Sequence, residues 1–162
     1  MGRDDLSNLS IPFPSAYVHE NPSGGGSYVA HPVITQRLLL HLGTFDFELV
    51  QIVRGRVEGR PGNPDGRSAR ARVGVPALDD AIVGAVCRLT CDVDGRRTVV
   101  EEVGDCEDPH NWPHDGARLK DAMSDALKRC AMRLGLGLHL WCKPGEYFLR
   151  SKLTDQQAGG QP

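Results

Sequence analysis

No apolar run in this chain approaches the ~18 residues that a membrane-spanning helix needs. The opening residues, MGRDDLSNLS, lack the apolar stretch of a secretory leader, so a soluble intracellular protein is expected. No Walker A pattern and no Gly-x-Ser-x-Gly elbow occurs, which removes the usual supports of nucleotide hydrolysis and acyl transfer. Internal repeats are also missing. Cysteine is sparse and odd in number, five in 162 residues, so a disulfide scaffold is excluded and a reducing compartment, the cytoplasm, is expected. There is no surplus of positive charge either: 19 Lys and Arg against 21 Asp and Glu leave a net charge of −2. That excludes a globally basic nucleic-acid binder and leaves a locally basic one open.

What is present suits one domain of ordinary size. A chain of 162 residues hides roughly two-thirds of its extended surface on folding, and 40% hydrophobic with 25% charged residues is a globular composition. The 19 glycines and 11 prolines predict many loops. Residues 1–27 read as a mobile N-terminal segment with one docking stretch, Ile11–Pro14, and a glycine run, Gly24-Gly25-Gly26. Residues 28–150 read as the folded domain, and 151–162 as a disordered polar tail.

Within the domain, Pro32 and Gly43 bracket a helix whose apolar stripe is Ile34, Leu38 and Leu42. The period then changes to two. Phe45, Phe47, Leu49 and Gln51 alternate with Asp46, Glu48, Val50 and Ile52 in a strand running toward Val57. Ala81–Val93 reads as a second strand and Thr98–Val103 as a third, joined by the hairpin signal Asp94-Gly95. A long helix follows from His114 or Asp115 to Leu134. Its apolar face carries Leu119, Ala122, Met123, Ala126, Leu127, Cys130 and Leu134. The segment Leu136–Trp141 reads as buried. The fold class is therefore α+β: an antiparallel three-stranded meander sheet packed by a short N-terminal helix and a long C-terminal helix, a β-β-β-α core.

Charge is uneven along the chain. Arg54 to Arg72 holds six arginines (Arg54, Arg56, Arg60, Arg67, Arg70, Arg72) against Glu58 and Asp65, a local charge of +4, and Asp115 to Arg150 carries +3. Between them, Glu101, Glu102, Asp105, Glu107 and Asp108 form a wholly acidic run. Two basic stretches could line one groove or form a solvated mixed-charge surface. On the long helix, Lys128 and Arg129 are adjacent, with Arg133 one turn on. They can take successive phosphates, or simply snorkel near a helix C-terminus whose dipole favours cations.

Two other chemistries have candidates. Glu101, Glu102, Asp105 and Asp108 could hold Mg²⁺ in a small nuclease. Cys106, His110 and His114, with His139 or Cys142, could ligate zinc, but the spacing is not the paired-knuckle form, and no metal or other cofactor is expected. Cys87 and Cys91 read as small core residues.

The run Ser124-Asp-Ala-Leu-Lys-Arg129 followed by Leu134-Gly135 resembles the signature helix of the Rad fifty-two (Rad twenty-two) family of single-strand annealing proteins. Gly24-Gly-Gly26, Tyr28-Val29, His31, Val33-Ile34 and Leu42-Gly43 are similar to that family's glycine turn and first helix, and Gly84 to Gly104 to its central hairpin. The matches cover about 110 residues in the family's order. The resemblance implies a protein that is not an enzyme, needs no ATP, binds single-stranded DNA in a basic groove and anneals complementary strands in recombination and repair. It implies a homo-oligomeric ring or helical filament, and the small size is similar to phage-encoded members, which would place it in a host cell's cytoplasm beside a partner exonuclease or host single-strand-binding protein. Lys128 and Arg129 carry over as DNA contacts, with Arg133 displaced by one residue. Pro32 stands where the family has a groove arginine, leaving Arg37 as the substitute, and Thr44, beside Phe45, stands in place of a groove tyrosine. Arg54, Arg56, Arg70 and Arg72 are expected as outer contacts. A DNA-end-protecting module of the same fold is the alternative reading.

Overall fold

A computed structural model describes residues 4–21, 26–67 and 72–159. In chain order the elements are helix α1 (Asp5–Leu9), strands β1 (Val18–Glu20) and β2 (Ser27–Val29), helix α2 (His31–Leu42), and strand β3 (Asp46–Val57). The short strands β4 (Arg60–Pro61) and β5 (Gly74–Val75) follow, then the long strands β6 (Leu78–Val93) and β7 (Arg96–Asp105), and helices α3 (Asp115–Arg133) and α4 (Leu149–Gly159). The architecture is mixed α+β with a three-stranded antiparallel sheet in the order β3-β6-β7. β1 pairs with β2, and β4 with β5, both antiparallel.

The strong local signals act as their chemistry dictates. Pro32 lies in the first turn of α2, and the stripe Ile34, Leu38, Leu42 is buried. Asp94 and Gly95 take φ of 51° and 78°. Two consecutive left-handed residues make the tight turn whose twist matches paired strands, so β6 runs directly into β7.

The chain forms two compact units interleaved in sequence. The first comprises Met1–Glu48, Arg88–Glu102 and Leu127–Pro162; the second, Leu49–Cys87 and Val103–Ala126. In the first unit α2 supplies Ile34, Leu38 and Leu42 to a core completed by Leu89 and Cys91 of β6 and by Leu127, Cys130 and Ala131 of α3. Leu9 and Phe13 belong to this core, and Leu9 is fully enclosed. An enclosed leucine contributes about 1.5–3 kcal/mol, which explains why the N-terminal segment departs from the mobile expectation. Polar contacts hold it as well. Asp5 and Asp94 exchange hydrogen bonds, and Arg37 donates to the carbonyls of Asn8 and Ile11 at 3.2 and 2.9 Å. Arg150 donates to the Ser7 carbonyl at 2.9 Å, and the Tyr147 hydroxyl donates to the Ser10 carbonyl. Gly24 and Gly25 of the glycine run lie outside the described residues.

The C-terminal expectation also changes. Residues expected to be disordered from Ser151 continue the helix α4 as far as Gly159. Arg150, in its first turn, is tied to Ser7. The sequence there is polar because the helix is largely exposed, and polarity alone does not forbid a helix.

In the second unit, Ala81, Ile82, Ala85 and Cys87 of β6 and Ala122 and Ala126 of α3 are buried. A Cβ added at Gly104 on β7 would stand 2.1 Å from the Ala122 carbonyl oxygen and 2.3 Å from the Ala126 nitrogen. Strand and helix backbones touch there, which only glycine permits. At the start of α3, Asp115 Oδ1 accepts from the Ile82 N–H at 3.3 Å and from Arg118 Nη1 at 3.0 Å. These donors, the Ile82 amide foremost, hold the Asp115 carboxyl below the usual carboxylate range. The buried Arg118 also donates to the carbonyls of Pro109 and Trp112, both at 2.9 Å, and so fastens the acidic link before the helix. Among the described residues, no helix is long and apolar enough to cross a membrane.

Candidate nucleic-acid interface

Adjacent positions on a helix diverge by about 100°, so Lys128 and Arg129 serve two different surroundings. Lys128 points to the β1-β2 pair, where its Nζ stands 6.0 Å from the ring centroid of Tyr28. Arg129 points to the segment beyond α3, with Cζ 5.5 Å from the ring centroid of Trp141. Both distances are cation–π range. The two cations are half-buried, whereas Tyr28 and Trp141 are 42% and 59% exposed. Each charge is thus backed by an aromatic ring that remains in contact with solvent.

Tyr28 is itself positioned by strand register. It faces His19 across the β1-β2 ladder, with ring centroids 5.5 Å apart. His31, two residues after β2, is held below the ordinary imidazole range by burial and then by the Lys128 charge. The ring is therefore kept neutral, and Lys128 is not crowded by a second cation at neutral pH.

The expected burial of Leu136–Trp141 is correct for Leu136 and wrong for Trp141. A left-handed turn at Gly137 and a 3₁₀ turn over Leu138–Leu140 carry the chain outward, so the indole emerges beside Arg129. Apolarity made Trp141 look internal. The signal that could have found it is the turn glycine, which ends the buried run before the tryptophan.

The other expected contacts are tied to partners of their own. Arg133 is ion-paired with Glu102. Arg54 donates to the Asp80 carbonyl at 2.6 Å and to Asp115 at 2.9 Å. Arg56 reaches Glu58 at 3.0 Å and Asp79 at 3.3 Å, and Arg60 donates to both oxygens of Asp108 at 3.0 Å. Arg72 donates to the Gly66 carbonyl at 3.2 Å. Arg70 lies outside the described residues. Arg54, Arg56 and Arg60 of the 54–72 stretch are therefore each met by an acid.

Arg37, the expected substitute groove arginine, is turned to the N-terminal segment. Besides the two carbonyls it holds, its guanidinium stands 5.0 Å from the Phe13 ring centroid. It clasps the N-terminal segment.

The acids and the zinc candidates are likewise divided. Glu101 takes Arg88 at 2.6 Å, Glu102 takes Arg133, and Asp108 takes Arg60. Consecutive strand residues face opposite ways, so Glu101 and Glu102 cannot converge. Burial, aided by the Asp121 charge, pushes the Cys106 thiol up to about 12. His110 Nε2 sits 3.0 Å from the Glu58 carbonyl, His114 Nδ1 accepts from the Ala117 N–H, and His139 Nε2 accepts from the Phe13 N–H. Among the described residues, no group of three or more His, Cys, Asp or Glu is arranged to hold a metal ion.

No protein-family model matches this chain, and no curated protein matches its sequence.

Proposed function

We propose that this chain binds single-stranded DNA through Lys128 and Arg129 and anneals complementary strands without ATP, in recombination and repair. The observation that carries the reading is the pair itself: two adjacent cations on one helix, each fixed by a ring, at 6.0 and 5.5 Å. Fixed cations pay less entropy on taking a phosphate than mobile ones. Phosphate contacts hold a strand without reading it, which is what an annealing protein requires. The three family-like motifs in order give independent support, and on this reading the sheet and α3 form the family's β-β-β-α core.

Arg133 is a secondary contact in this scheme, and Arg54, Arg56 and Arg72 engage DNA only by leaving their present partners. The protein works as a ring or helical filament of many copies, since β3 and β7 are sheet edges that assembly would cover. It acts in the cytoplasm, beside an exonuclease that exposes single strands or a host single-strand-binding protein.

The test mixes heat-separated complementary oligonucleotides with the protein in the absence of nucleotide. Accelerated duplex formation is expected. Lys128→Ala with Arg129→Ala should weaken binding about equally for every sequence and lower the salt slope by roughly 0.7 for each phosphate that is no longer neutralised. Light scattering should give a particle many times 17.6 kDa. Wild-type binding by an assembled double mutant would remove the site. Binding without annealing would favour end protection, and Mg²⁺-dependent cleavage would favour a nuclease.

A further inference from the structure

Trp141 and Tyr28 do more than a phosphate grip requires. A ring that only braced a cation would gain by burial, since removing apolar surface from water is favourable. Here the rings stay in water, at 59% and 42% exposure, while the cations behind them are half-buried. This inverts the usual snorkelling arrangement, in which the charge reaches water over a covered apolar body. Arg129 covers one side of the Trp141 ring, and Lys128 and the His19 ring flank that of Tyr28, yet both rings keep apolar surface facing solvent. Because Lys128 and Arg129 are consecutive, the two ring-cation pairs can serve one ligand that repeats a negative charge and a flat apolar group.

We propose that the solvent-facing surfaces of Trp141 and Tyr28 are stacking platforms for unpaired nucleobases. The inference rests on the single-strand reading and adds the base to the phosphate. Arg129 and Lys128 take the backbone of neighbouring nucleotides, and each ring takes the face of a base. Every base has a π-face, so stacking is tolerant of sequence. Duplex DNA is a poor ligand, because its base faces are already covered by their neighbours. A base stacked on one face keeps its pairing edge open, so a second strand can pair while the first is still held.

The experiment titrates wild-type protein, Trp141→Ala, Trp141→Phe, Tyr28→Ala, and the Lys128→Ala, Arg129→Ala double variant. The probes are fluorescently labelled oligo-dT and an abasic oligonucleotide of the same length. Wild type should bind oligo-dT roughly ten-fold or more tighter than the abasic strand. Trp141→Ala should lose most of that preference, with abasic binding weakened by the smaller amount that the lost brace on Arg129 accounts for, and Tyr28→Ala should lose part of it. Trp141→Phe should retain it, and the double variant should weaken both strands together. The particle mass and thermal midpoint of Trp141→Ala should match wild type. A full preference for oligo-dT in Trp141→Ala overturns the inference and leaves the phosphate reading intact. A fall in particle mass in Trp141→Ala makes the indole a subunit contact and also overturns it. If wild-type protein binds neither strand, the inference falls together with the reading beneath it.

Discussion

Asp5 and Asp94, 89 residues apart, exchange reciprocal hydrogen bonds: the Asp5 N–H donates to Asp94 Oδ1 at 2.7 Å, and the Asp94 N–H donates to Asp5 Oδ2 at 2.9 Å. The first residue of α1 is thereby fixed to the turn between β6 and β7. Asp5→Ala leaves the Asp94 amide without its acceptor and should cost about 1.5–3 kcal/mol in urea unfolding. Asp94→Asn keeps an acceptor oxygen and tolerates the left-handed turn, so its cost should stay below about 1 kcal/mol. Equal losses from both variants would show that the turn conformation, not the exchange, sets the energy.

Gly104 should accept no side chain. A methyl group there meets the backbone of α3 at Ala122 and Ala126, and backbone cannot swing aside as a side chain can. Gly104→Ala is expected to lose about 3 kcal/mol or more through forced separation of strand and helix. A melting midpoint within a few degrees of wild type would contradict the contact.

Arg37→Ala separates stability from binding. The Asn8 and Ile11 carbonyls lose a charged donor, and Phe13 loses its cation, so unfolding should come easier by about 1.5–3 kcal/mol. Where the variant is still folded, its affinity for oligo-dT should be unchanged. A loss of affinity with unchanged stability would return Arg37 to the groove.

Acid should loosen the first unit. Burial, then the Arg37 charge, lowers the pKa of His139; burial, then Lys128, lowers that of His31. A histidine so depressed stays neutral in the fold while the unfolded chain takes up its proton near pH ~6.5. Its stabilisation is therefore complete above that value and is lost as pH falls through the lower, folded one. His139 Nε2 also accepts the Phe13 N–H, which a protonated ring cannot do. Stability measured by urea unfolding should fall as the pH drops below about 6.5, and His139→Phe should flatten that limb. A wild-type profile level across this range would refute the assignment.

The elements legible in the sequence are those specified by neighbours. Asp94-Gly95 fixes a hairpin within two residues, and the three- and four-residue spacing of Leu127, Cys130 and Leu134 marks the buried face of α3. Pairings across long separations carry no such period. Arg54 meets Asp115, 61 residues away, and Arg60 meets Asp108, 48 residues away. A charge count along the chain adds those arginines together where the fold partners each with an acid. Lys128 and Arg129 were readable as a pair, but their rings come from positions 28 and 141, which only the folded chain brings near.

The hold of Tyr147 and Arg150 on the N-terminal helix has a consequence for the order in which the protein is made. Arg150 and Ser7 are 143 residues apart. At 5–20 residues per second a ribosome needs on the order of ten seconds or more to travel between them. Throughout that interval Leu9 has emerged while the chain that fastens its helix is still untranslated. The segment around Leu9 thus waits for residues 147–150 before these contacts can close, and until then it is held only by its apolar neighbours and by Arg37 and Asp94.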